Sequence, residues 1–146
     1  MVRSLPFLLI VLSLLLTGCS PGVKLVGAWE VDSEKLQADL QKSSGGNPLA
    51  AMTAGVLSMV EGKAEFNADG TFTVTASGLG ATKGTWQYSK MDGDDMVLAL
   101  KGDNEPTGRE LRVRFADWDH LEMPLPSGIQ SAIGAKTFPF KRIKKT

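Results

Sequence analysis

Between Lys63 and Phe140 the chain repeats one arrangement: short stretches in which every second residue is apolar, separated by polar turns. Thr71-Phe72-Thr73-Val74-Thr75-Ala76 is the clearest of them. Successive side chains of an extended strand point to opposite faces, so such alternation sets one face against a core and the other in water. Ala64 and Phe66 share a face, as do Thr82, Gly84, Trp86 and Tyr88, and then Met96, Leu98 and Leu100. Leu111, Val113 and Phe115 alternate with Glu110, Arg112 and Arg114, and Leu121, Met123, Phe138 and Phe140 continue the pattern. Between these runs lie Asn67-Ala68-Asp69-Gly70, Ser77-Gly78-Leu79-Gly80, Asp92-Gly93-Asp94-Asp95, the polar loop Gly102 to Gly108, and Ala116-Asp117-Trp118-Asp119. Connections this short join antiparallel neighbours and exclude parallel crossovers. With Lys24 to Val31 as a first strand, the pattern predicts about eight strands in a meander that curls on itself and removes its edges. The expected fold is mainly β: a small antiparallel barrel, or a strongly curled sheet, with a helical insertion after the first strand.

The insertion covers residues 33–62, where the period changes. Ser33 is placed to cap a short helix with Leu36 and Leu40 on one side. Ser43-Ser44-Gly45-Gly46 breaks it. Asn47-Pro48 then offers an N-cap with proline at the first helical position. Leu49, Met52, Val56, Met59 and Val60 recur at helical spacing up to a stop at Gly62. This second helix reads as packed on the barrel, as a movable lid, or as a face for a partner.

Sixteen basic and sixteen acidic residues leave no formal net charge, which excludes the basic footprint of a nucleic-acid binder. One cysteine and one histidine exclude an internal disulfide and a four-ligand Cys/His zinc site. A catalytic His120 would need a nucleophile and an orienting carboxylate, and no Gly-x-Ser-x-Gly elbow exists. His120 reads instead as a solvated turn residue. Asp92-Gly93-Asp94-Asp95 fails as an EF-hand loop, because Met96 and Val97 stand where an oxygen ligand and a glycine belong. The chain therefore reads as non-enzymatic, with no cofactor and no metal. Lys141, Arg142, Lys144 and Lys145 form a basic end, read as a solvated strand end or as a contact for anionic lipid headgroups.

The amino terminus is of another kind. Arg3 precedes an apolar run from Leu5 to Leu16. That run is shorter than the roughly 20 residues of a membrane-spanning helix and fits the roughly 7–15 of a signal-peptide core. Leu16-Thr17-Gly18-Cys19 directly after it resembles the lipobox of bacterial lipoproteins. The resemblance implies a diacylglycerol thioether on Cys19, cleavage between Gly18 and Cys19, and acylation of the new amine. Residues 1–18 are then a signal peptide, 19–23 an acylated tether and 24–146 the folded domain. The resemblance implies an exported protein held to a membrane through the lipid on Cys19. Ser20 resembles the residue of outer-membrane lipoproteins in a Gram-negative host; otherwise the outer face of the plasma membrane is implied.

A second resemblance covers residues 24–143. Gly27-x-Trp29 is similar to the Gly-x-Trp start of lipocalin-like barrels. Phe66-Asn67-Ala68-Asp69-Gly70-Thr71-Phe72, then Gly84-Thr85-Trp86, then Phe138-x-Phe140-Lys141-Arg142, resemble small bacterial lipocalin-like lipoproteins. Trp29, Phe72, Trp86 and Phe115 are the candidate lining of a core or a ligand site. Two functions are expected from this: an interaction module for an envelope protein partner, or a carrier of a small apolar ligand. An interior filled by those four rings favours the first, and an open one lined by small residues the second. In a chain this short a large dry cavity sacrifices contacts. Both tryptophans are therefore expected in a packed interior, with no cup for a fatty acid and each Gly-x-Trp glycine making room for its ring.

Overall fold

The computed structural model describes residues 21–45, 61–77, 80–125, 130 and 135–144. Eight strands follow in order: β1 (Gly27–Val31), β2 (Gly62–Phe66), β3 (Thr71–Ala76), β4 (Gly80–Asp92), β5 (Asp95–Gly102), β6 (Arg109–Phe115), β7 (His120–Pro124) and β8 (Thr137–Arg142). Each pairs antiparallel with the next, and β8 returns to β1 to close a barrel. The closing register sets Trp29 opposite Arg142 and Val31 opposite Phe140. Closure pairs the outermost strands and leaves no free edge.

The alternation in the sequence is obeyed inside the barrel. Ala64, Phe66, Phe72, Met96, Leu98, Leu100, Val113 and Leu121 are buried in one cluster with Leu25 and Trp29. Outward positions carry Lys63, Glu65, Thr75, Lys83, Thr85, Gln87, Lys101, Glu110, Arg112 and Arg114, all exposed. That is the reverse of a barrel that spans a bilayer, whose outer band is apolar. Among the described residues no helix is long and apolar enough to cross a membrane.

Two local expectations are corrected. The first strand begins at Gly27, because Pro21–Lys24 forms a 3-10 turn instead. Leu25 N donates to Gly22 O at 3.0 Å and Val26 N to Val23 O at 3.2 Å, so these backbone groups are satisfied locally and not on a ladder. The helix α1 (Ser33–Ser44) is capped by Asp32, whose carboxylate accepts from Lys35 N, so Ser33 is already inside it. The α1 helix ends at Gly45 in a left-handed conformation, as the Ser-Ser-Gly-Gly break implied. Gly62 is the first residue of β2 and pairs with Ala76. The second expected helix, with Leu49, Met52, Val56, Met59 and Val60, lies outside the described residues, as does most of the segment from Pro124 to Gly134.

Leu36 and Leu40 are buried against Val31 and Ala135, beside Leu125, Phe138 and Phe140, and this seats α1 on the barrel. Lys35 Nζ reinforces the contact, 2.9 Å from Glu122 of β7 and 3.1 Å from Asp39. The hydrogen bond to Glu122, more than that to Asp39, holds the Lys35 amine above its ordinary range.

The two Gly-x-Trp glycines serve neighbours other than their tryptophans. A Cβ on Gly27 would lie 2.6 Å from Arg142 Nη1, so the space beside it belongs to a guanidinium. A Cβ on Gly84 would lie 2.1 Å from the carbonyl oxygen of Lys101 and 2.8 Å from Cα of Gly102, so there β4 and β5 approach backbone to backbone. Gly84 is required by close approach, as glycine within a strand often is, whereas Gly27 takes a φ of 138° that residues with a side chain rarely adopt.

Candidate functional site

An antiparallel meander places alternate connections at opposite ends. One end collects the N-terminal 3-10 turn and the β2–β3, β4–β5 and β6–β7 turns. The other collects α1 and the β3–β4, β5–β6 and β7–β8 connections. The two ends are built differently.

The first end is closed. Trp29 is fully buried, and its indole nitrogen donates to the carbonyl of Leu25 at 2.8 Å. The Arg142 guanidinium lies 4.2 Å from the centre of the Trp29 ring. It donates to the carbonyls of Val26 at 2.8 Å, Lys24 at 2.7 Å and Trp118 at 3.0 Å. A planar cation with several donors in a fixed fork suits this combination of stacking and carbonyl binding. Arg142 thereby ties the 3-10 turn, β8 and the β6–β7 turn across the bottom of the barrel. The reading of residue 142 as part of a solvated basic end is corrected for it. Lys141 and Lys144 do sit at the surface, 3.7 Å from Glu30 and 3.1 Å from Asp119.

The charged motifs of this end are engaged in holding turns. Asp92 accepts from Arg112 at 2.7 Å and Asp95 from Arg114 at 2.8 Å. The Arg112 hydrogen bond and charge hold the Asp92 carboxyl below its ordinary range. His120 Nδ1 lies 2.9 Å from both carboxylate oxygens of Asp117, which also accepts from the backbone nitrogens of Asp119 and His120. Asp117 is thus a turn-making carboxylate, held low chiefly by the His120 hydrogen bond. Among the described residues no group of three or more His, Cys, Asp and Glu side chains converges where a metal could sit.

Among the described residues the other end carries no comparable plug. A cavity of about 450 Å³ enters the barrel there, with a floor of Ala64, Phe66, Phe72 and Leu100. Val31, Val74, Leu111, Met123, Leu125, Phe138 and Phe140 form its apolar walls, and Lys63, Arg109 and Glu110 carry charge at its lining. Such a volume falls within the roughly 300–1,000 Å³ of small-molecule pockets. The expectation of an interior without a cup is therefore overturned at the mouth. The packing argument behind it applies to the lower half, where Trp29 and Phe115 pack together.

The four candidate lining residues separate accordingly. Only Phe72 reaches the cup. Trp29 belongs to the closed end, with Phe115 at 6.0 Å between ring centres. Trp86 is partly and not fully buried, which corrects that expectation; its indole donates to Asn67 O at 3.1 Å and its ring meets the edge of Phe66 at 5.9 Å. It braces the β2–β3 hairpin and does not plug the mouth. The cup residues missed in the sequence, such as Val31, Val74, Leu111 and Phe138, carry the signal of alternation alone. Cys19, the candidate lipidation residue, lies outside the described residues.

Comparison with known proteins adds no relative: the chain matches no family model, and no curated protein or solved structure is significantly similar to it.

Proposed function

We propose that this chain is an exported lipoprotein, anchored through acylated Cys19, whose barrel is a non-enzymatic binding module for a small apolar ligand. The observation that carries the binding part is the mouth cavity of about 450 Å³, lined mainly by apolar residues, above a core of Leu25, Trp29, Leu98 and Leu121. Removing an acyl chain or a ring from water into such a cup gains about 25 cal/mol per Å² of apolar surface, and the few charged groups at the lining suit a polar head. The lipoprotein part rests on the lipobox at residues 16–19 and on the fit of Leu5 to Leu16 to a signal core. With Ser20 next, the outer membrane is the proposed site in a Gram-negative host.

A second reading, an interaction module for an envelope protein, is favoured by the depth of the cup. Trp29, Phe66 and Leu98 fill the barrel below it, so the cavity suits a short apolar group as well as a whole ligand. Binding of N-phenyl-1-naphthylamine, with displacement by palmitate, tests the first reading. Val74→Glu sets a charge at the wall and is expected to weaken the probe by about tenfold or more. A wild-type protein that shows no saturable probe binding, or a variant that binds unchanged, overturns the carrier reading.

A further inference from the structure

Among the described residues four large apolar side chains stand exposed: Val23 at 60%, Val74 at 38%, Met91 at 46% and Trp118 at 67%. Val74 belongs to the mouth. The other three lie in sequence far apart yet line one cleft of about 530 Å³ at the closed end. The cleft runs between the 3-10 turn, the tip of the β4–β5 hairpin and the β6–β7 turn. Its lining also carries Lys24, Arg114 and Asp94. Lys24 lies 4.7 Å from the centre of the Phe115 ring and 5.2 Å from that of Trp118, an amine laid along aromatic faces. Arg114 is tied to Asp95, leaving Asp94 as the acid at the rim.

Pro21 is itself part of this lining, and Cys19 precedes it by two positions. At roughly 3.3–3.6 Å per extended residue, two residues span about 7 Å at most. A lipid on Cys19 therefore holds the cleft within about that distance of the bilayer surface. We propose that the closed end docks on the membrane, with Trp118, Met91 and Val23 in the interfacial layer and Lys24 among the headgroups. Tryptophan belongs at that depth, because its ring is apolar at one end and donates a hydrogen bond at the other. A long amine can keep its stem in the apolar layer and its charge in water. This docking rests on the reading of Cys19 as acylated, and it turns the mouth away from the bilayer. The cup then receives its ligand from the aqueous side or from another protein, not by lateral entry from the membrane that holds it.

Full-length protein expressed in bacteria, extracted from membranes and returned to phosphatidylethanolamine–phosphatidylglycerol vesicles containing brominated lipid, tests this. Trp118 fluorescence is expected to fall roughly twofold relative to bromine-free vesicles, while acrylamide in the water reaches it poorly. Trp118→Phe removes the bromine-sensitive component and identifies its source. Met91→Asp with Val23→Asp leaves the acyl anchor in place and is expected to return Trp118 to acrylamide. A Trp118 that stays open to acrylamide and blind to bromine in the anchored protein overturns the docking face. So does a Trp118 shielded equally in vesicles and in a soluble dimer, since a second copy then covers the cleft. The mass of the extracted chain reads the anchor separately. A chain without acyl groups sinks the lipoprotein reading and the docking with it, whereas an acylated chain whose Trp118 stays blind to bromine sinks the docking alone.

Discussion

The two ends of this barrel divide the same kind of residue between opposite uses. At the closed end Trp29, Phe115 and Leu25 are packed, and every donor of the Arg142 fork that reaches a partner meets a backbone carbonyl. At the mouth Phe72, Leu111, Phe138 and Phe140 face a cavity. Packing at one end stabilises the fold, while the other end keeps an apolar cavity. The contrast teaches that a short domain need not choose between a core and a cup.

The sharpest way to break this contrast is to truncate one large side chain at each end. Trp29→Ala is expected to cost about 3–5 kcal/mol, because it opens a cavity and strips Arg142 of its ring. Val74→Ser at the mouth is expected to stay within about 0.5 kcal/mol, as a surface substitution does. Urea unfolding followed by circular dichroism checks both. Equal losses at the two positions would show that the mouth carries the fold as well.

A smaller effect tests whether the barrel wall between the ends is as tightly built as its geometry shows. Gly84→Ala places a methyl 2.1 Å from the Lys101 carbonyl, so one strand has to shift. A loss of about 1–3 kcal/mol is expected in the same unfolding measurement. A neutral result would mean that β4 and β5 separate at little cost.

The smallest effect concerns the surface of the closed end. Asp117 is held below its ordinary value of 3.8 by the His120 hydrogen bond and by backbone N–H groups. A carboxylate whose folded value is depressed adds stability that is present above its unfolded value and lost as pH falls through the folded one. Asp117→Asn should therefore melt slightly below the wild type near neutral pH, and the gap should narrow as pH falls below about 4. Melting curves across that range check the sign, and a gap that holds constant removes the carboxylate from the account of this turn.

Much of the architecture is legible in local chemistry. The clean alternation of Thr71 to Ala76 identifies β3, and the Asp69-Gly70 turn is confirmed by Gly70 at a φ of 83° with Asp69 accepting from Thr71. The Asp92 to Asp95 turn likewise closes the β4–β5 hairpin, with Asp92 paired to Asp95. What local chemistry misreads is instructive. Lys24 to Val26 have strand-forming neighbours, yet the chain turns there, and the buried Leu25 offers its carbonyl to the Trp29 indole. Gly27 and Gly84 are visible as glycines beside tryptophans, but the groups that need their space are Arg142 and the Lys101 backbone, which are distant in sequence.

The candidate site shows the same limit. Trp29, Phe72, Trp86 and Phe115 are identified correctly as inward-facing or core-touching side chains, since facing is set by the two-residue period of a strand. Which of them meets a void depends on height along the barrel axis, and height follows from closure and register. Trp29 lies opposite Arg142 because β8 returns to β1, and only that pairing makes one end a plug. The sequence alone determined a β meander of inward apolar and outward polar residues. The tertiary structure decided that the sheet closes, that Trp29 and Phe115 pack together at one end, and that an apolar cavity lined by Phe72, Phe138 and Phe140 lies at the other. The physical reason is that alternation is a local property of the chain, whereas the depth of a side chain in a closed barrel belongs to all eight strands together.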